Sequence, residues 1–301
     1  MLARALTAEG EDVVVFEKSR GLGGRLATKR VGDATFDSGA QYFTAKSERF
    51  AAMVAEWAAA GVVTPWPGAS AHRWIARPSM SALGKFLAVG VDVRREAKVV
   101  KVERDVSGWE LTIENQPPKR AGRLVLTAPL PQSLALLEAG GVDLPGELAG
   151  KLAALTYHPC LALLLTLGGA SAVPVAGVAL AEGPVRWMAD NTKKGISLGG
   201  TGAVTVHLSP SFAAEHYAKT EAELAALVLP GIAEQLGAPV VNVALQRWKF
   251  SEPVASFAQR CVWLPELGLG MAGDALGGPR VEGAALSGFE LAERMTVESK
   301  A

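Results

Sequence analysis

The chain has 301 residues, 49% of them hydrophobic and 20% charged, a balance that excludes a disordered protein and suits one large domain or two interleaved ones. Thirty basic residues cancel thirty acidic ones, which argues against a nucleic-acid partner, because phosphates select a basic excess. Two cysteines, Cys160 and Cys261, lie far apart and near no histidine cluster, so a reduced, cytoplasmic protein is expected rather than a disulfide framework or a zinc site.

Residues 1–10, "MLARALTAEG", read as the end of a helix capped by Gly10, without the long apolar stretch of a signal peptide. "DVVVFE" is a short β-branched run of the kind that forms a buried parallel strand. "SERFAAMVAEWAAA" spaces Phe50, Met53, Val54 and Trp57 along one helical face behind Ser47 as N-cap. A second helix is expected in "MSALGKFLAVG". Two antiparallel strands follow in "VDVRREAKVVKVERDVSGWELTIE", turning at Ser107 and Gly108, with the charges on a solvated face. "AGRLVLTAPLPQSLALLEAG" gives a strand, a proline-marked exit and a helix. Residues 152–181 carry no Asp, Glu, Lys or Arg, but Gly168, Gly169, Pro174 and Gly177 interrupt them. A membrane span needs about 20 steadily apolar residues, so two buried strands joined at Gly168-Gly169 are expected instead. Further strands are expected around "WMADN", "AVTVHLS" and "VVNVALQRWKF", with helices over 211–236, and the chain closes on a strand, a glycine-rich turn and a helix beginning near Val281. Alternating strands and helices at both ends of a more antiparallel middle predict a discontinuous α/β domain interrupted by a substrate domain.

Three stretches carry chemistry. Glu17 ends a strand, and dinucleotide folds place an acid about 20 residues beyond their glycine fingerprint, where it binds the ribose hydroxyls. Counting back from Glu17 passes Met1, and no strand-GxGxxG-helix unit occurs elsewhere, so the phosphate loop is expected to precede this sequence. After the acid comes "KSRGLGGRLATKR", where glycines admit a phosphate to the backbone and arginine offers a forked cation. Near the other end Asp274 follows a strand and a helix starts at Val281, offering free N–H groups. Each has a plain alternative: an acid capping a buried strand, a surface turn, a helix-initiating loop. Their order along one chain favours a dinucleotide site.

With "ATFDSGAQYFTAK", "RLVLTAPLPQ", "WMADNTKKG", "HLSPSFAAEHY", "QRWKFSEP" and "GMAGDALGGPRVEGAALSG", these stretches resemble the FAD-dependent oxidoreductases of the flavin amine-oxidase superfamily, and within it the bacterial renalase-like branch. The resemblance runs from residue 13 into the last helix. It implies a Rossmann-like FAD-binding domain, N-terminally truncated here, built from residues 1–46, 76–132 and 260–301. An antiparallel-sheet-plus-helices substrate domain would comprise 47–75 and 133–259. It also implies that Glu17, followed by Lys18, binds the adenosine ribose, and that Gly23, Gly24 and Arg25 line the pyrophosphate and flavin. Gln41 and Tyr42 would approach the isoalloxazine, and Val99 the adenine. Asp274 would hold the ribityl or pyrophosphate region, with Arg280, Val281 and Glu282 beside the flavin pyrimidine. The family's first strand and glycine loop are the departure.

The resemblance further implies hydride transfer from a small donor, a dihydronicotinamide isomer or an amine, to FAD and then to O2, giving H2O2. The cofactor carries that chemistry, so no Ser-His-Asp set or carboxylate pair is required, and none is found. No single catalytic residue stands out. Trp187, Asn191, His207, Arg247 and Trp248 are the candidates for a substrate wall: aromatics to flank a flat ring, amide and imidazole to bond it, arginine for an anionic group. Core packing is the alternative for both tryptophans, and a structural role for His207. His72 sits in a loop-like stretch and is a weaker candidate. Four histidines and two cysteines show no metal-ligand spacing. The other class of function open to this sequence is a non-catalytic relative that no longer binds FAD and acts as a binding or partner protein. No nucleic acid or membrane partner is expected in either case.

Overall fold

The computed structural model describes residues 1–69 and 72–299, and its contacts divide the chain into a first unit of Met1–Leu22, Leu87–Tyr157 and Glu252–Ala301 and a second of Gly23–Phe86 and His158–Ser251. No helix among the described residues is long and apolar enough to cross a membrane.

In the first unit, strand Val14–Phe16 pairs in parallel with Asp92–Arg94, so the "DVVVFE" run forms the parallel strand its β-branched composition predicts. Val99–Asp105 and Gly108–Ile113 form the expected antiparallel hairpin, extended by Lys119–Ala121. Its turn is held by Asp105, whose Oδ1 accepts from the Ser107 N–H at 2.8 Å. Leu124–Leu126 lies parallel to Leu269–Met271, which is antiparallel to Val262–Leu264. Apolar side chains of these strands and of helices Leu130–Ala139 and Gly146–Ala153 share one core around Trp109, which is fully buried with its indole N–H donated to the Leu267 carbonyl at 2.9 Å. A second cluster joins helix Leu2–Ala8 to the closing helix Val281–Ser299. At their crossing, a Cβ on Gly288 would come 3.2 Å from the Leu2 nitrogen, so the two helices approach closely there.

The second unit is built on a five-stranded sheet in the order Val178–Ala179, Val185–Asp190, Ala203–Leu208, Tyr157–Leu167, Val240–Pro253. The run "LALLLTL" is apolar but for Thr166 because both its faces are covered. Leu161, Leu163, Leu165 and Leu167 pack with Leu224, Val228, Ile232 and Leu236 of helix Glu221–Leu236. Ala162 and Leu164 pack on the other side with Ala34, Phe36 and Ala203, the first two from hairpin Thr28–Val31/Ala34–Asp37. Helix Glu48–Ala59 buries the four predicted residues, and Ser47 caps it by accepting the Phe50 N–H. Strand Arg73–Ala76 pairs antiparallel with Phe43–Thr44 and Val63–Pro65.

One expectation is corrected. Residues 152–181 are not two strands joined at Gly168-Gly169. They hold the end of a helix, the single strand Tyr157–Leu167, and then a loop reaching the two-residue strand Val178–Ala179, which pairs with Val185–Asp190 instead. Pro174 has no N–H for a ladder, and Gly177 turns back with φ +69° to bond the Pro174 carbonyl.

Two glycines test how this packing discriminates. A Cβ on Gly140, at the end of helix Leu130–Ala139, would come 1.7 Å from the Val102 carbonyl oxygen, whereas one on Gly150, within Gly146–Ala153, meets nothing within 4 Å. Gly140→Ala is expected to destabilise by about 1–3 kcal/mol through overpacking, and Gly150→Ala to stabilise by roughly 0.5–1 kcal/mol through helix propensity. Urea midpoints of both variants check the pair.

Candidate functional site

In the second unit the strand Ala34–Asp37 delivers Asp37 into the interior, where it has no solvent exposure. Its Oδ1 accepts from Thr28 Oγ1 at 2.8 Å and from the Met80 N–H at 3.0 Å, and its Oδ2 accepts from Lys194 Nζ at 2.9 Å. Lys194 is equally buried. It follows strand Val185–Asp190, whose last residue shapes the loop: Asp190 Oδ1 accepts the Thr192 and Lys193 N–H groups, and Oδ2 the Ser171 hydroxyl. The Lys194 ammonium also donates to the Gln41 carbonyl at 2.9 Å, with Gln41 Oε1 at 3.4 Å. Burial pushes the Lys194 pKa down, and the Asp37 carboxylate opposes that shift. Gln41 Nε2 reaches back to the Asp37 and Gly39 carbonyls.

The turn from Ser38 to Tyr42 is therefore fixed from within. It is fixed from outside as well: the Ser38 carbonyl accepts the Trp248 indole N–H at 2.9 Å and lies 3.4 Å from His207 Nε2. Asn191, fully buried, accepts the Asp37 N–H and donates to the Ala203 carbonyl and Thr205 Oγ1, so both of its N–H donors are already used by the protein. The backbone of Arg25 lies against the same turn, because a Cβ on Gly39 would come 2.0 Å from the Arg25 oxygen. The Arg25 side chain bonds the Ser251 carbonyl at 3.0 Å, and Gly23 and Gly24 precede it with φ of +106° and +52°. His207 is surrounded by protein and by the Lys194 and Arg186 charges. Burial lowers its pKa to about 4, the Ser38 carbonyl opposing and the two cations adding to the shift, so it is neutral at pH 7.

Beside the turn, Tyr42, Trp66 and Trp187 form a triangle with ring centroids 5.5, 5.6 and 6.2 Å apart. Arg73 stacks on two of them, 4.6 Å from the Tyr42 centroid and 5.4 Å from that of Trp187. The network thus gathers Gln41, Tyr42, Trp187, Asn191, His207, Trp248 and Arg25. Arg247 stands apart, on the other face of its strand, donating to the Tyr217 and Lys219 carbonyls. His72 is exposed.

In the first unit, Glu17 stands at the carboxyl end of a parallel strand, its Oε1 accepting the Ser19 N–H at 2.7 Å and its carbonyl the Ala97 N–H, two residues before Val99. Lys18 is exposed. Asp274 is buried at the start of a four-residue helix, 3.3 Å from the Tyr157 hydroxyl. The turn that follows requires glycine: a Cβ on Gly277 would come 2.0 Å from the Gly283 oxygen, and one on Gly283 2.2 Å from the Gly278 oxygen. Arg280 takes φ +135° and the long helix begins at Val281 and Glu282, its first N–H groups outside the helical ladder. A strand-end acid for sugar hydroxyls, a glycine cradle and a helix N-terminus are donor and acceptor types that fit a flavin dinucleotide.

Asp37, Lys194, Trp66 and Arg73 were not singled out by sequence. Asp37 lay inside a recognisable stretch, "FDSGAQYF", but nothing local distinguishes Lys194 from Lys193, whose ammonium bonds the Ser171 and Val173 carbonyls instead.

Comparisons with known proteins give the family and the fold. Residues 68–296 match the family model described as flavin containing amine oxidoreductase, and residues 1–57 match that of an NAD(P)-binding Rossmann-like domain. The fold is shared with a provisionally assigned protoporphyrinogen oxidase from Exiguobacterium sp. 255-15, at TM-score 0.76 and 13% identity over 99% of this chain and 96% of that one. It is also shared with a putrescine oxidase bound to putrescine (TM-score 0.72, 14% identity, 98% and 96% of the two chains). A fatty acid isomerase from P. acnes is a further neighbour (TM-score 0.66, 11% identity, 97% and 95%).

Two measurements probe the network. Lys194→Met strands a buried carboxylate and is expected to cost about 3–5 kcal/mol in urea unfolding. The double variant with Asp37→Asn, which removes both charges, should lose less. For His207 the folded pKa lies below the unfolded one, so the unfolded chain takes up the proton first as pH falls from 6.5 toward 4 and stability is lost across that window. His207→Gln should remove a component of up to about 1.4 kcal/mol per pH unit from that slope, read by comparing urea curves of the two proteins over the window.

Proposed function

Because this chain belongs to the flavin-containing amine oxidoreductases and takes FAD as its cofactor, we propose that it is an oxidase of the renalase-like branch, removing a hydride from a dihydronicotinamide isomer with O2 as acceptor and H2O2 as product. One observation carries the reading. The ionisable and polar groups around the Ser38–Tyr42 turn are spent on one another: Asp37 on Lys194, Asn191 on backbone and Thr205, His207 neutral. That leaves a rigid frame with no poised acid–base pair, which suits a reaction whose difficult step belongs to a bound cofactor.

Bound FAD supplies hydride acceptance and the reaction with oxygen. The chain's own tasks are binding, orientation and exclusion of water. In the first unit, Glu17 would accept the ribose hydroxyls, Lys18 would follow it at the adenosine end and Val99 would contact the adenine. Asp274 would face the ribityl and pyrophosphate region, with Arg280, Val281 and Glu282 at the pyrimidine. In the second, Gly23, Gly24 and Arg25 would admit phosphate to the backbone, Gln41 and Tyr42 would present the preformed turn, and Trp187 and Trp248 would wall a flat donor.

A visible spectrum of the purified chain tests the reading first: two flavin bands, released as FAD on denaturation, support it. A colourless folded protein would point instead to a non-catalytic relative. Glu17→Ala is expected to retain less FAD than Trp187→Ala in a flavin-release assay, and equal retention would remove the ribose assignment. Peroxide formed from a dihydronicotinamide isomer and not from benzylamine completes the test.

A further inference from the structure

We propose that Tyr157 is the positioning residue of Asp274. Its hydroxyl, anchored by the first N–H of helix Leu130–Ala139, sets the direction in which the buried carboxylate accepts a ligand hydroxyl. The inference rests on the reading above for that ligand, FAD, but not for the contact itself.

Asp274 needs such a partner. It is 6% exposed, and a carboxylate withdrawn from water is costly unless hydrogen bonds replace the lost hydration. Its main chain is fixed from two sides. The Gly273 N–H donates to the Ser287 hydroxyl at 2.9 Å, which donates in turn to the Arg260 carbonyl, and the Ala275 carbonyl accepts the Phe257 N–H at 2.7 Å. Those bonds hold the backbone and leave the side-chain torsions to be set by what the carboxylate oxygens meet. Tyr157 meets one of them, donating to Oδ1 at 3.3 Å.

The direction of that bond is set on the other side of the phenol. Helix Leu130–Ala139 begins behind Pro129, which supplies no side-chain cap, and the Leu130 N–H donates to the Tyr157 hydroxyl oxygen at 3.3 Å. A phenol has one proton to give. With an N–H already pointed at its oxygen, that proton is turned to the carboxylate, so one chain of polarised bonds runs from the helix through the phenol to Asp274. The nearby Ser133 hydroxyl is committed elsewhere, donating to the Ala128 carbonyl at 3.1 Å. The hollow that Ser133, Tyr157 and Asp274 help to line measures about 10 Å³, at the lower limit for one water, so solvent has little room to stand in for the phenol. A phenylalanine would fill the same place against the core around Trp109 and supply neither bond. Fixing Oδ1 fixes the plane of the carboxylate, and with it the side from which a ribityl hydroxyl can approach.

The full chain tests this in two ways. Stripped of flavin and titrated with FAD, Tyr157→Phe should bind about tenfold more weakly, the scale of one charge-assisted hydrogen bond. AMP, which carries no ribityl chain, should bind as before. Asp274→Asn should lose FAD affinity likewise, and the double variant should bind no more weakly than Asp274→Asn alone. Ser133→Ala should leave FAD affinity unchanged. The second readout needs no flavin. The chain has three tyrosines, and in protein labelled with 3-fluorotyrosine Asp274→Asn should shift the fluorine resonance of Tyr157 and leave those of Tyr42 and Tyr217 in place. If Tyr157→Phe folds poorly, Tyr42→Phe and Tyr217→Phe assign the resonances by elimination. Unchanged FAD affinity in a folded Tyr157→Phe, equal losses of FAD and AMP affinity, losses that multiply in the double variant, or an unmoved Tyr157 resonance would overturn the proposal. A chain that binds no FAD yet shows the shift would keep Tyr157 as the positioning residue of Asp274 and remove the oxidase reading instead.

Discussion

The second unit depends on one interaction, the fully buried ion pair between Lys194 and Asp37. Two charges withdrawn from water carry a desolvation penalty that their mutual attraction offsets only when the remaining polar atoms are also satisfied. Here they are. Asp37 has Thr28 and the Met80 N–H on its other oxygen, and the ammonium has the Gln41 carbonyl. Such a pair adds little net stability over a well-packed apolar replacement, but half of it cannot survive alone. It therefore holds strand Ala34–Asp37, the loop after Val185–Asp190 and the Ser38–Tyr42 turn to one arrangement, because any slippage leaves a charge unpaired in the interior.

From that constraint the character of the site follows. A turn held by a buried charge, two amides and an indole is preorganised, and preorganisation is what the protein contributes when a cofactor performs the bond-breaking step. The candidate wall then divides by role. Asn191 belongs to the frame, since its donors are consumed inside the protein, and Trp248 anchors the Ser38 carbonyl. Trp187 has no hydrogen-bond partner for its indole N–H among the described residues and faces Tyr42, Trp66 and Arg73.

The first unit meets a different demand, the close approach of backbone to backbone. Gly277 and Gly283 each stand where a methyl group would strike a neighbouring carbonyl oxygen. The consequence is a tight turn between Asp274 and the start of the long helix at Val281. The Rossmann-like family match over residues 1–57 covers the strand Val14–Phe16 that leads to Glu17.

By itself the sequence determined what depends on neighbours along the chain. The helical spacing of Phe50, Met53, Val54 and Trp57, the Ser47 cap, the hairpin turning at Gly108 and the strand leading to Glu17 all follow from local period and local hydrogen bonding. The acids and glycines of the flavin motifs were readable for the same reason. Tertiary structure alone decided which of two adjacent lysines is buried, because the partner Asp37 is 157 residues away in the chain. It alone decided that Asn191 is consumed by the frame while the Trp187 indole N–H has no partner among the described residues, since both follow from contacts with strands distant in sequence. It also decided that in the charge-free run from Leu152 the long strand Tyr157–Leu167 is not joined at Gly168-Gly169 to a second one, the short strand Val178–Ala179 pairing with Val185–Asp190 instead. Apolar composition shows that a segment is buried, but the pairing partner that makes it a strand is set by the fold.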